Sequence, residues 1–222
     1  MTLEEKKQLI QKISQSLTEE RNLKMRRVVT QRTNYVTVVL EDIYQVHNAS
    51  AVLRSCDGFG IQNVHIIEQE FIFRPCEGVS KGAGKWLNLL RYNSPGENNS
   101  KKCFDHLRKT GYTIAATTPH KNDLLIQDLP VDKPVALVFG TEQKGLSEFA
   151  MANADIFVKI PLHGFVESYN IAVSAAICIY EAVKKAREYT TTWGLNEEEQ
   201  VNLLLDWLLK TTPHGQKAVE DM

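Results

Sequence analysis

Residues 134–153 read PVALVFGTEQKGLSEFAMAN, and this stretch indicates the fold class of the chain. Pro134–Phe139 is an apolar run that predicts a buried strand, and Leu146–Asn153 has the composition of a helix. The glycines between them allow a sharp turn and a close approach of a ligand to the backbone. A strand, a glycine-containing turn and a helix in this order are the repeating unit of a parallel α/β sheet.

The same alternation continues on both sides of this stretch. We predict further strands at Tyr35–Leu40, Val64–Ile67, Tyr112–Thr117 and Ile156–Ile160, and helices at Asn48–Asp57, Lys101–Lys109 and Asn170–Glu188. Asn48 and Ser168 are candidate helix caps, and Gly58 and Gly60 mark the end of the first of these helices. The pattern predicts an α/β fold with a parallel sheet and helices on both of its faces.

Helical arms are expected on either side of the sheet domain. Thr2–Glu5 resembles a capping box and begins a helix over residues 3–17, whereas Arg21–Arg32 is basic and has no acidic residue. Glu197–Lys210 predicts a last helix with an apolar face. We therefore expect an N-terminal helical, basic arm at 1–33, a central domain at 34–190, and a C-terminal helical arm and tail at 191–222.

Composition restricts the function classes. The 222 residues carry a net charge of −1, so a nucleic-acid site has to be a local basic patch. The four cysteines form no CxxC pair or Cys/His ligand spacing, so we expect reduced thiols and no metal site. The charged N-terminus lacks a signal-peptide pattern, and no apolar stretch is long enough to cross a bilayer. A cytoplasmic protein with no membrane partner is expected.

Three clusters of residues carry candidate chemistry. They are HNASAVLRSCDGFG at 47–60, FGTEQKG at 139–145 and IPLHGFVESYNIAVSAA at 160–176. Each also has a purely structural interpretation: a helix cap with a solvent-facing arginine, an ordinary glycine-containing turn, and a tightly packed helix start. All three follow predicted strands, and open α/β sheets bind ligands at the carboxyl ends of their strands. A dinucleotide-binding domain is excluded because no GxGxxG follows a strand at a helix start.

In this order, the clusters strongly resemble the first, second and third motifs of the SpoU branch of the SPOUT RNA methyltransferases. The resemblance covers about residues 24–190. It implies a C-terminal deep trefoil knot, S-adenosylmethionine as cofactor, and methylation of a ribose 2'-hydroxyl in RNA. It also implies a homodimer whose active sites are completed by both subunits. The sequence is most similar to the tRNA-modifying part of this branch, whose target is the D-loop guanosine at tRNA position 18.

The resemblance assigns roles to individual residues. Arg54 matches the essential arginine, and Glu142 matches a carboxylate that we interpret as holding a loop. The polar residues around the arginine correspond to Asn48, Ser168 and Asn170. The implied cofactor contacts are Thr117, Gly140, Ile160, Leu162 and Tyr169. Position 169 departs from the family pattern, which usually has Leu, so an apolar contact to adenine would be altered there.

Substrate RNA is expected against basic side chains of the arms and the long helix. The candidates are Lys24, Arg26, Arg27, Arg32, His47, Lys184, Lys185 and Arg187. A solvated helix face is the competing interpretation of such charge runs, but the absence of acids from Arg21 to Arg32 favours phosphate contacts. Methylation of rRNA and a catalytically inactive knotted RNA-binding protein remain alternatives. The intact motif residues argue against the inactive protein.

Overall fold

Parallel strands form one sheet in the central unit of the chain, residues 34–193. The computed structural model describes residues 1–74, 76–80, 82–119 and 124–212. Within these, the strands are β1 (Val36–Glu41), β2 (Asn63–Ile67), β3 (Asn88–Tyr92), β4 (Thr113–Thr117), β5 (Leu124–Leu125), β6 (Val135–Phe139) and β7 (Ile156–Lys159). Their order across the sheet is β3-β2-β1-β6-β4-β7-β5, and all neighbouring pairs are parallel. The prediction of a parallel α/β sheet is confirmed.

Helices cover both faces of this sheet. The helices of the central unit are α3 (Val46–Phe59), α4 (Glu77–Ser80), α5 (Asn99–Lys109), α6 (Glu148–Asn153) and α7 (Ile171–Tyr189), with single 3-10 turns at Ala83–Lys85 and Ile126–Asp128. Alternate residues of β1 belong to different apolar clusters, since successive strand side chains point to opposite faces. Val36, Val38 and Leu40 pack with α3 and α7. Val39 packs with α5 and α6.

The strand order brings the candidate loops together. β6 lies between β1 and β4, with Leu40 opposite Phe139, and β7 lies beside β4. The loops that leave these four strands therefore meet at one edge of the sheet, near the point where the chain order of the strands reverses. Such edges are where open α/β sheets bind ligands.

Several predicted boundaries need correction. α3 begins at Val46 with Gln45 as its N-cap, so Asn48 lies in the first turn and is not the cap. α3 ends at Phe59, two residues beyond the predicted range, and Gly60 closes it in a left-handed conformation with φ 86°. Two strands were missed. β3 is a partly exposed edge strand without a buried apolar run, and β5 has only two residues.

Residues 1–33 and 194–212 form a second compact unit of the described chain. It contains α1 (Leu3–Ser14), α2 (Glu19–Val29) and α8 (Glu197–Thr211). The predicted capping box of Thr2 and Glu5 is present, and α1 ends three residues earlier than predicted. Most apolar side chains of α1 and α8 are buried, including Trp207 at 1% exposure. The segments predicted as two arms thus contribute to one helical unit.

Candidate functional site

The loop after β6 is a tight turn that only glycine permits. The backbone amides and carbonyls of Thr141 and Gly145 bond to each other at 2.9 Å in both directions. A Cβ atom at Gly140 would lie 2.2 Å from the Gly145 carbonyl oxygen, closer than real Cβ contacts allow. Gly145 itself has φ 69°, which disfavours other residues. The turn therefore leaves a strip of bare backbone along one wall of a cavity.

This cavity has a volume of about 320 Å³ and lies at the carboxyl edge of the sheet. It is lined by the loops after β4, β6 and β7 and by the start of α7. All five residues predicted to contact a cofactor line it: Thr117, Gly140, Ile160, Leu162 and Tyr169. The Tyr169 hydroxyl donates to the Pro161 carbonyl at 3.4 Å. Ligand pockets usually hold about 300–1,000 Å³, so the cavity is large enough for a small cofactor.

One buried thiol contributes to the same wall. Cys178 on α7 is 1% exposed and lines the cavity. Burial raises the pKa of the Cys178 thiol to about 12, so this thiol stays protonated at neutral pH. A protonated thiol is a poor nucleophile, and Cys178 therefore acts as a small apolar residue.

A closed polar cluster joins the three sequence motifs. Glu142 Oε1 accepts hydrogen bonds from Asn48 Nδ2 at 3.0 Å and from Asn170 Nδ2 at 2.7 Å. Asn170 Nδ2 also reaches Asn48 Oδ1 at 3.1 Å, and the Ile171 amide donates to Glu142 at 3.4 Å. The carboxylate thus positions two amide side chains from different helices. Its contacts fit the role of a residue that holds the loop.

Asn170, and not Ser168, caps the long helix. The Asn170 side chain accepts a hydrogen bond from the Ala172 amide at 2.9 Å. Ser168 instead lines the cavity. The sequence pattern could not separate the two, since Ser and Asn are equally good caps and lie two residues apart.

Arg54, which matches the essential arginine of the family, does not line the cavity. Asn48 borders a second, smaller depression beside Glu142, whereas Arg54 borders neither. Their separation of six positions places the two side chains about 120° apart around the helix axis and roughly 9 Å apart along it. Arg54 is exposed, as is His47, and among the described residues neither has an ion pair or a hydrogen bond.

Comparison with known proteins identifies the family to which the cavity and the polar cluster belong. The SpoU rRNA Methylase family model matches residues 35–180, which contain the cavity and the polar cluster. The chain belongs to the SpoU methylase family. The tRNA (guanosine(18)-2'-O)-methyltransferase of Borreliella burgdorferi is 37% identical, over 92% of this chain and 91% of that protein. The Thermus thermophilus protein of the same name is 34% identical, over 87% of this chain and 98% of that protein.

A solved structure has the same architecture. The crystal structure of the Aquifex aeolicus TrmH/SpoU tRNA modifying enzyme superposes with a TM-score of 0.75 at 28% identity. The alignment covers 86% of this chain and 95% of that one. As a member of a methylase family, this chain is an enzyme, and its cavity is the candidate active site.

The predicted RNA-binding residues of this SpoU methylase differ in exposure and in their partners. Lys24, Arg26 and Arg27 are exposed on α2, where Arg26 Nε also donates to Asn22 Oδ1 at 2.9 Å. Lys184 and Arg187 are exposed on α7, and the Arg187 guanidinium lies 4.7 Å from the centre of the Trp193 ring. The Lys185 ammonium group donates to the carbonyls of Gln127 at 2.8 Å and Leu129 at 2.6 Å, so it is already bonded within the domain.

Arg32 requires a correction. It is 2% exposed, and its guanidinium lies 5.2 Å from the centre of the Trp207 ring. Stacking on an aromatic ring in the helical unit leaves no surface for a phosphate contact. The sequence pattern placed Arg32 with the other cations because charge alone does not reveal burial.

Glu41 was not predicted from the sequence, although it anchors Ser147 at the end of the cavity loop. This carboxylate at the end of β1 is 3% exposed and accepts hydrogen bonds from the Ser147 amide and hydroxyl, both at 2.8 Å. Ser100 also donates to it. The sequence pattern that could have identified Glu41 is a glutamate at the end of a β-branched apolar strand. A buried carboxylate at such a position is unfavourable unless it is hydrogen-bonded.

The described residues contain no group of three or more histidine, cysteine or acidic side chains able to hold a metal ion. Among the same residues, no helix is both long enough and apolar enough to cross a membrane.

Proposed function

We propose that this chain is a cytoplasmic enzyme that transfers a methyl group from S-adenosylmethionine to the 2'-hydroxyl of guanosine 18 in tRNA. The observation that carries the proposal is the 37% identical guanosine-18 methyltransferase, which aligns with nine-tenths of both chains. The alignment includes the terminal helical unit, which lies outside the family model at residues 35–180. This shared unit favours tRNA over rRNA as the substrate.

The cavity residues fit the proposed cofactor. Gly140 lets the turn fold back onto the Gly145 carbonyl, and the closed turn at 140–145 places backbone amides and carbonyls at the cavity wall, where they can contact an adenine. Ile160 and Leu162 offer apolar contacts, and Thr117 offers a hydroxyl. Tyr169, in place of the usual leucine, provides a ring for stacking. S-adenosylmethionine supplies a methyl group on a positively charged sulfur, an activated electrophile that requires no metal.

The remaining motif residues orient the acceptor and balance charge. Transfer in line requires the 2'-oxygen to be held at the methyl carbon, which is mainly a matter of orientation. In the Asn48–Glu142–Asn170 cluster, the carboxylate in the loop after β6 holds the two amide side chains beside the cavity. A guanidinium ion does not act as a base at neutral pH. We assign Arg54 to the RNA phosphate and to the charge that develops on the 2'-oxygen.

We further propose that the enzyme is a homodimer with a trefoil-knotted C-terminal region. Arg54 is exposed and does not line the cavity of its own chain, which supports an active site completed by a second subunit. Val173 and Tyr180 on α7 are 47% and 50% exposed, and they offer an apolar surface for the contact. Mixing Arg54→Ala with Asn170→Ala subunits should restore part of the activity. No recovery after demonstrated subunit exchange, or a monomer in sedimentation, contradicts this arrangement.

The decisive experiment is mass spectrometry of RNA from cells with and without this protein. The expected result is loss of 2'-O-methylguanosine at position 18 of tRNA and its return when purified protein and S-adenosylmethionine are added. Loss of a methyl group from rRNA alone would favour the alternative substrate. Unchanged methylation of both RNAs would favour an inactive RNA-binding protein.

A further inference from the structure

An exposed aromatic pair lies beside the polar cluster and has no role in the proposed transfer. The rings of Tyr44 and Phe71 are 5.0 Å apart and tilted by 42°. Their side chains are exposed by 37% and 38%, and the neighbouring Ile72 is exposed by 65%. Tyr44 borders the small depression that also contains Asn48 and Glu142. The pair therefore continues the surface of the candidate active site.

The backbone that carries Phe71 is fixed. Asp42, in the left-handed region with φ 54°, accepts hydrogen bonds at one carboxylate oxygen from three successive amides. These are the amides of Gln69 at 2.7 Å, Glu70 at 2.8 Å and Phe71 at 3.2 Å. Aspartate tolerates this conformation better than most residues, at a small cost in energy. An apolar ring on a rigid backbone loses little conformational entropy when it binds a ligand.

The surrounding charge limits what can bind there. The Glu70 carboxylate, next to Phe71, forms an exposed ion pair with Lys144 at 2.9 Å, and Glu142 lies beside Tyr44 in the depression. Lys144 compensates the charge of Glu70, so the Glu142 carboxylate is the charge that disfavours a phosphate group at the rings. A neutral, flat and aromatic ligand is suited to the site, because aromatic side chains stack on the faces of unpaired bases.

We propose that Tyr44 and Phe71 form a stacking site for an unpaired nucleobase of the substrate RNA, next to the nucleotide that is methylated. This inference rests on the proposed RNA 2'-O-methyltransferase function. A ribose can enter the crevice only if its nucleotide leaves the helical stack, and the neighbouring base then loses a partner. The aromatic pair replaces that partner and fixes the position of the strand relative to Asn48 and Glu142.

Alanine and aromatic substitutions test this site. Tyr44→Ala and Phe71→Ala should each weaken RNA binding about 5- to 150-fold, the range expected for one base stacked on an aromatic ring. The affinity for S-adenosylmethionine should not change, because neither ring lines the cofactor cavity. Tyr44→Phe and Phe71→Tyr should retain wild-type RNA affinity. Ile72→Ala removes a more exposed apolar side chain from the loop that carries Phe71 and is the matched control.

A fluorescence measurement identifies stacking directly. The RNA carries 2-aminopurine beside the nucleotide that the wild-type protein methylates, located first by mass spectrometry. If the methylated nucleotide is not guanosine 18, the mass spectrum shows this before the stacking experiment begins. A wrong substrate assignment is therefore distinguished from the absence of stacking. Binding of wild type, Ile72→Ala and the aromatic variants should quench the probe, and the alanine variants at 44 and 71 should not.

Three results would overturn the proposal. The first is RNA affinity of both alanine variants within twofold of Ile72→Ala. The second is quenching that is the same for Phe71→Ala and wild type. The third is a changed sedimentation coefficient in the alanine variants, which would assign the rings to a contact between subunits. Circular dichroism and cofactor titration exclude misfolding, and recovery in the conservative variants separates ring chemistry from loop stability.

Discussion

The polar side chains at the cavity are hydrogen-bonded to one another, whereas the exposed cations Arg54 and Lys24 are not bonded within the part of the chain that the structure describes. Asn48, Glu142 and Asn170 bond to one another and to the start of α7. In the described chain, Arg54 and Lys24 have no such partner. Groups that are already bonded are pre-organised, which suits binding and orientation of a small ligand. Cations without a partner are suited to an anionic ligand that arrives from outside, such as an RNA phosphate.

The largest effect should follow from the loss of an unpartnered cation. We expect Arg54→Ala to reduce single-turnover methyl transfer by at least about 100-fold, because it removes the charge that we propose to stabilise the transition state. Since no described residue bonds to Arg54, the melting temperature and S-adenosylmethionine affinity should remain within error of wild type. Arg54→Lys should recover only part of the rate, because lysine lacks the planar fork. A near wild-type rate for Arg54→Ala would remove Arg54 from the active site.

The sequence predicted the pre-organised region better than the cation surface. The order of strands and helices followed from periodicity, and all five implied cofactor contacts line one cavity. Burial could not be predicted for Arg32, because its partner Trp207 is distant in the sequence. For the same reason, the bonds of Lys185 to two carbonyls and of Glu41 to Ser147 were not foreseen. Such contacts depend on tertiary packing, which local sequence patterns do not encode.

A substitution in the cavity wall should affect binding of the cofactor and stability together. Gly140→Ala places a Cβ atom against the Gly145 carbonyl, so the turn has to move. We expect a loss of about 1–3 kcal/mol in the free energy of unfolding, typical of overpacking, and a weaker S-adenosylmethionine affinity by calorimetry. Gly164→Ala is the matched control, because nothing lies within 4 Å of its Cβ position. Equal cofactor affinity in the two variants would show that the bare backbone is not a binding wall.

A smaller effect is expected within the polar cluster itself. Glu142→Gln keeps the shape of the side chain but replaces a charged acceptor of three hydrogen bonds by an amide. We expect methyl transfer to fall about 10-fold, equivalent to about 1.4 kcal/mol, close to the lower limit for bonds to a charged group, because the amide oxygen can still accept. The free energy of unfolding should change little, since the group is at the surface. Glu148→Gln on α6 is the control for loss of one negative charge. A fall of many orders of magnitude would instead make Glu142 a proton acceptor.

The smallest effect should come from the cations of α2. Their removal should change RNA affinity little at low salt, but it should clearly change how steeply the affinity falls as salt is added. Lys24, Arg26 and Arg27 are exposed there, whereas Arg32 is buried. Each phosphate contact releases a counterion, so the slope of log affinity against log salt steepens by about 0.9 for a duplex contact. The triple alanine variant should therefore have a flatter slope, by up to roughly 2.7 if all three side chains contact phosphates.

The control for this series is Lys101→Ala, because that lysine is exposed but pairs with Asp105 on the same helix. Removing a cation that already has a carboxylate partner should leave the slope of RNA binding nearly unchanged. If the triple variant and the control give the same slope, the cations of α2 only solvate a helix. RNA binding would then depend on Arg54 and the end of α7. A flatter slope with unchanged single-turnover rate at saturating RNA would show that α2 contributes affinity, whereas Arg54 contributes chemistry.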